Sequence, residues 1–147
     1  MEPRFDIVNA APDAFKAMLG LEAYIHRCGL EPSLIHLVKM RASQINGCAY
    51  CLDMHSREAR RDGETERRLY VLEAWRESPL YSARERAALA WTEALTLIAD
   101  TRAPDDVYAE VSTKFTAAEV MNLSLAISAI NGWNRLCVGA RSVYCGQ

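Results

Sequence analysis

The chain has 147 residues, half of them apolar and 24% charged, with a formal net charge of −2. That length suits one domain with a core of its own, and the charge offers neither nucleic acid nor an anionic membrane an electrostatic handle. No stretch reaches the ~20 uninterrupted apolar residues that a spanning helix needs. Met1–Glu2–Pro3–Arg4–Phe5–Asp6 lacks the basic-then-apolar build of a secretion signal. The expectation is one cytoplasmic domain over residues 1–147, with neither nucleic acid nor membrane as partner.

Helix start and stop signals follow one another along the chain. Pro12 in a first turn opens a helix over Ala11 to Cys28, which Gly29 can close in a left-handed conformation. Pro32 opens a second through Leu34, Leu37, Val38, Arg41 and Ile45, and Asn46–Gly47 breaks it. A third runs from Cys48 to about Arg61 and ends near Gly63. Glu64 to Trp75 reads as a short helix stopped by Ser78–Pro79. Ser82 with Glu85 forms a capping box and starts a long helix to about Ala99. Pro104 starts another to Lys114, and a second capping box, Thr116 with Glu119, opens the last through Val120, Leu123, Ile127, Ile130 and Trp133. No run shows strand alternation. The fold expected is an all-α bundle of six to seven helices.

Val120–Ile130 is apolar nearly all round, which suits a central helix or an oligomer interface. Ser43–Gln44–Ile45–Asn46–Gly47 has a faint echo in Ser128–Ala129–Ile130–Asn131–Gly132, compatible with a duplicated hairpin.

Five cysteines stand at positions 28, 48, 51, 137 and 145. Their odd number and irregular gaps argue against a secreted disulfide framework, and only Cys48 and Cys51 are close. Cys28, Cys137 and Cys145 read as small buried hydrophobes. On a helix, residues three and four apart share a face, so Cys48, Cys51 and His55 line one stripe. A pair so spaced can close a disulfide, its Cα atoms lying near ~5.5 Å apart. Reactivity needs thiolate, and lowering a cysteine from ~8.5 to ~7 takes roughly 2 kcal/mol. A helix N-terminus supplies ~0.3–1 kcal/mol, and His55, as imidazolium partner or as base, is placed to supply the rest. Zinc is a rival occupant of two cysteines and a histidine, but no second Cys/His pair completes the set, only the isolated His26 and His36. Plain packing of the three side chains is the other alternative. The expectation is neither metal nor cofactor. The missing strands argue against a thioredoxin setting for this C-x-x-C.

The stretch Leu37–Val38–Lys39–Met40–Arg41–Ala42–Ser43–Gln44–Ile45–Asn46–Gly47–Cys48–Ala49–Tyr50–Cys51–Leu52–Asp53–Met54–His55 resembles the alkylhydroperoxidase D-like branch of the carboxymuconolactone decarboxylase superfamily. Residues 84–96 and 129–136 support it, so the resemblance spans about the last three quarters of the chain. It implies a helical trimer or hexamer with its site in a helical cleft. It also implies peroxidase chemistry, in which Cys51 attacks a hydroperoxide, Cys48 resolves the sulfenic acid, and His55 relays the proton. A dithiol or disulfide-reductase donor then reduces the bridge.

Two positions depart from that pattern. A glutamate is expected twelve residues before the first cysteine and a histidine directly before the second, where this chain has His36 and Tyr50. Tyr50 shapes the pocket on this reading and is itself a candidate relay. Losing the glutamate removes the carboxylate that keeps the relay basic, so the relay is expected to be weakened or rerouted. His36 is a candidate relay, with a partly exposed surface histidine as its alternative. Glu93, an acid in the apolar run Ala87–Ile98, is a candidate substitute.

Trp75, Trp91 and Trp133 are expected in the core, and Asn131, Asn134 and Arg135 at a cleft or interface. The basic run Arg57, Arg60, Arg61, Arg67 and Arg68, interleaved with acids, reads as a solvated helix surface. The function expected is a thiol-dependent hydroperoxide reductase. Two alternatives stand beside it: a redox-responsive helical oligomer with little turnover, and a cofactor-free decarboxylase that needs no cysteine pair.

Overall fold

Two prolines and two capping boxes fix where four of the helices begin. The computed structural model describes residues 2–143. In order the helices are α1 (Pro12–Ile25), α2 (Pro32–Asn46), α3 (Ala49–Arg61), α4 (Glu66–Tyr70), α5 (Ala83–Thr96), α6 (Ile98–Thr101), α7 (Asp105–Lys114) and α8 (Ala117–Ala140). Pro12 and Pro32 stand in the first turns of α1 and α2, where a missing N–H costs nothing. Ser82–Glu85 and Thr116–Glu119 each make both reciprocal bonds of the capping box, so α5 and α8 start where expected. No helix among the described residues is long and apolar enough to cross a membrane.

Eight α-helices stand among the described residues where six to seven were expected, and the differences have local causes. The single helix expected over Glu64 to Trp75 leaves α geometry at Val71 and tightens into a 3-10 turn, Leu72–Ala74. Leu69, Leu72 and Trp75 are three apart, and a turn of three residues stacks them on one inward face. The helix expected to run to Ala99 breaks at Leu97 (φ −98°, ψ 33°) and resumes as α6. There the Thr101 hydroxyl donates back to the Ala94 carbonyl at 2.6 Å. The first helix ends at Ile25 instead of Cys28, and Gly29, at φ +92°, turns the chain.

Helix α2 divides the core. Leu34, Ile35 and Val38 face Trp91, Leu123 and Ile127 on one side, while Leu37 and Met40 face Leu69, Leu72, Trp75 and Leu89 on the other. Helix α8 runs past α1, α2, α3, α5 and α7, the central position that its apolar sequence favours. Trp75 and Trp91 are buried as expected, whereas Trp133 is only half-buried and borders a cavity. Arg57, Arg60 and Arg61 make surface ion pairs with Asp53, Glu66 and Asp62. Arg68 goes deeper, against Glu64 and Glu85.

The echoing segments on α2 and α8 meet. The Asn46 side-chain amide donates to Asn131 Oδ1 at 3.0 Å and to Asn134 Oδ1 at 2.9 Å. Asn134 Nδ2 donates to Ser43 Oγ at 3.0 Å, and Asn131 Nδ2 to Thr96 Oγ1 at 3.0 Å. Arg135 adds a bond to the Asn131 carbonyl at 3.0 Å. Each amide in this cluster is satisfied, which is the condition for burying it. Replacing Asn134 with Ala leaves buried Ser43 without this partner and Asn46 with Asn131 alone. The expected cost is about 2 kcal/mol, or a fall in melting temperature of roughly 4–8 °C at this chain length. An unchanged thermal melt would show the amides to be dispensable.

Candidate active site

Helix α2 ends at Gly47, whose φ of +63° is left-handed, and the chain re-enters a helix at once. Cys48 is the N-cap of α3, with extended backbone, and its Sγ accepts the Cys51 N–H at 3.3 Å. The two sulfurs are bonded to each other, with their Cα atoms 5.3 Å apart. Both residues are 1% exposed, and His55, one turn further, is 4% exposed. The stripe read from the spacing therefore lies on the buried side of α3.

Above Cys51 lies a cavity of about 270 Å³ bordered by Phe15, Leu19, Tyr50, Met54, His55 and Trp133, with Ile7 of the N-terminal segment at its edge. Its walls are mainly apolar, but two hydrogen-bonded polar pairs enter it. Lys39, 5% exposed, donates to Glu22 Oε2 at 2.6 Å, and Trp133 Nε1 donates to the other oxygen of Glu22 at 3.0 Å. His55 Nδ1 lies 2.9 Å from Glu58 Oε2. An ionised carboxylate only accepts, so Nδ1 carries a proton, and in the neutral imidazole it is Nε2 that offers the lone pair. The His55 contact is the main cause holding the Glu58 carboxyl below its ordinary value, burial opposes it, and the Lys39 and His36 charges add to the lowering.

The carboxylate expected to be missing thus arrives from another position: Glu58, three residues beyond His55 on the same helix. The i, i+3 spacing made this pair readable in the sequence; the family position drew the reading elsewhere. The structure puts neither His36 nor Glu93 on His55. His36 Nε2 pairs with Asp62 at 2.8 Å, on a smaller cavity that also touches Lys39 and Glu58, and its buried Nδ1 has no partner among the described residues. The histidine is partly exposed, with 13% of its side chain accessible and its partner Asp62 at the surface. Glu93 is fully engaged elsewhere, taking Arg41 Nε and Trp75 Nε1 at 2.8 Å and Arg76 at 2.9 Å. A partly buried acid held by three donors is a structural anchor. Glu85 serves its capping box and also binds Arg68.

One further residue escaped the sequence reading. Cys137 of α8 was expected as inert packing; it is buried as expected, but its Sγ lies within 4.8 Å of the sulfurs of both Cys48 and Cys51. Its position, 86 residues from the nearer of the pair, carries no local signal. Cys28 is only partly buried against the core, and Cys145 lies outside the described residues.

The carboxymuconolactone decarboxylase family pattern matches residues 12–94 of the chain. The uncharacterized protein YdfG of Bacillus subtilis (strain 168) is 41% identical over 138 residues, 94% of either chain. A crystal structure from Agrobacterium tumefaciens, a protein of unknown function with a suggested place in antioxidant defence as AhpD, is similar at TM-score 0.97 and 46% identity. It covers 99% of this chain and 100% of that one. The debrominase Bmp8 in its apo form shares the fold at TM-score 0.77 and 22% identity, over 90% of this chain and 71% of that one.

Glu58 also ties the site to stability. Its folded value is depressed below the ordinary 4.5, so the contact with His55 stabilises the protein above that pH and stops doing so as pH falls through the lowered folded value. Denaturant unfolding should show the native protein's advantage over Glu58→Gln shrinking between neutral pH and strong acid. An advantage equal at both ends would rule out an ionised Glu58 as its source.

Proposed function

Because the chain belongs to the carboxymuconolactone decarboxylase family, we propose that it is a thiol-dependent hydroperoxide reductase. The observation that carries this reading is the buried Cys48–Cys51 bridge under an apolar cavity, with a carboxylate-backed imidazole one turn along the same helix. A pair that opens and closes within one helical turn suits two-electron cycling.

The cycle starts from the dithiol. His55 Nε2 takes the Cys51 proton, and the Glu58 carboxylate on Nδ1 stabilises the resulting imidazolium. The Cys51 thiolate attacks one peroxide oxygen, an S–O bond forms, and the O–O bond breaks. The departing alkoxide takes the proton back from His55 and leaves as an alcohol. Cys51 is now a sulfenic acid. The Cys48 sulfur attacks it, the S–S bond forms, and the oxygen leaves as water. A dithiol donor attacks the bridge through a mixed disulfide and returns two electrons and two protons.

The walls suit the substrate class. A space of about 270 Å³ lined by Phe15, Leu19, Met54 and Trp133 takes a small organic hydroperoxide with an apolar tail. It lies near the lower end of the ~300–1,000 Å³ usual for small-molecule sites. Tyr50, where the family pattern has a histidine, adds an aromatic wall beside the sulfurs. Assembly of identical chains belongs to the same reading; Met121, Leu136 and Val138 of α8 are exposed apolar residues available to it.

One equivalent of an alkyl hydroperoxide should remove two thiols per chain from the reduced protein and yield one equivalent of alcohol. Cys51→Ser should abolish turnover. Glu58→Gln should lower it roughly 10- to 100-fold, less than the ~10²–10⁴ that a general base itself contributes. Peroxide consumption by Cys51→Ser at the native rate would sink the proposal.

A further inference from the structure

We propose that Cys137 is a third redox-active sulfur of this site, able to take the place of Cys48 as the disulfide partner of Cys51. The three sulfurs of Cys48, Cys51 and Cys137 all lie within 4.8 Å of one another, and all three residues are buried. They form a small cluster of their own, against which the partly buried Ile7 and Tyr50 pack. Cys137 also borders the same cavity as Cys51. A disulfide needs its sulfurs ~2.05 Å apart, so closure asks for a movement of under 3 Å, roughly what side-chain rotation at two cysteines provides.

Two routes lead to the new bridge. In the oxidised protein, the Cys137 thiolate attacks the Cys51 sulfur; the Cys51–Cys137 bond forms, the Cys48–Cys51 bond breaks, and Cys48 takes up the proton that Cys137 lost. No net oxidation occurs. In the dithiol, a two-electron oxidant withdraws two electrons and two protons from Cys51 and Cys137 together. Burial pushes the Cys137 thiol up, against a weaker opposing contact from Ser142. Cys137 therefore rests as a neutral thiol at neutral pH, and both routes quicken in alkali. If the proposed cycle holds, the third sulfur intercepts a Cys51 sulfenic acid that Cys48 has not reached, with loss of water, before a second oxidant carries it to the irreversible sulfinic acid.

The test uses Cys48→Ser, which keeps a good N-cap for α3, with Cys48→Ser/Cys137→Ala as its control. Each reduced protein is treated with one equivalent of diamide, which accepts two electrons and two protons without any peroxidase activity. Thiol titration should show two thiols lost from Cys48→Ser and none from the control, and peptide mass mapping should place the bridge between Cys51 and Cys137. Reduced Cys51 and Cys137 after diamide, or a bridge from Cys51 to Cys28 or Cys145, overturns the inference. Should Cys48→Ser fail to fold, the native oxidised protein is held at alkaline pH, acid-quenched and mapped. A fraction carrying the Cys51–Cys137 bridge supports the inference, and its complete absence overturns it. A parallel arm replaces diamide with an alkyl hydroperoxide. If peroxide leaves Cys51 reduced while diamide forms the Cys51–Cys137 bridge, the hydroperoxide reading falls and the third sulfur stands.

Discussion

The contact on which the site depends is the amide cluster between the end of α2 and the middle of α8. Asn46 is the last residue of α2, and its side chain is held by Asn131 and Asn134 at the point where the chain must turn. Apolar packing between α2 and α8 would be satisfied over a range of small slides, because dispersion is non-directional. Amide hydrogen bonds are not, so they select one register. Once Asn46 is pinned, the left-handed turn at Gly47 sends α3 off in a set direction, and the sulfurs of its first turn come to rest beside α8.

The cavity is apolar in area but not in charge. Lys39 and Glu22 cancel one another, and Trp133 holds the remaining oxygen of the carboxylate. A buried pair of this kind is costly to break, because the survivor is left as an uncompensated charge. The pair therefore keeps a fixed dipole near the sulfurs through any change in their oxidation. Glu58 differs: its side chain is 36% exposed, so water reaches one side of it while the other holds His55. The imidazole thus joins a dry compartment to a wet one.

Much of this was readable along the chain, and the residues show where reading stops. The capping boxes, the first-turn prolines and the Cys48–Cys51–His55 stripe are local patterns, each contained in one helical turn or two. Glu58 belongs to the same class and was readable by the same spacing rule. Glu93 could be narrowed to a solvent-facing or partnered acid, but its donors come from two distant segments, Arg41 from α2 and the neighbours Trp75 and Arg76 from beyond the 3-10 turn. Cys137 and the Lys39–Glu22 pair depend on which helix faces lie together. Such contacts have no period of their own and follow only from tertiary packing. The Ser43–Gly47 echo lies between. Repetition alone could not say that its two asparagines bind each other.

The passage from α2 to α3 spends only Gly47 and Cys48 outside helical geometry. A helix turns about 100° and climbs 1.5 Å for every residue. Because the start of α2 is anchored in the core and its end is pinned by Asn46, a residue inserted here has nowhere to be absorbed except by rotating all of α3. The sulfurs would swing toward solvent and the polar back of the helix would turn inward. This two-residue joint tolerates little change in length, although in other proteins short surface connections are usually where insertions are accepted most readily.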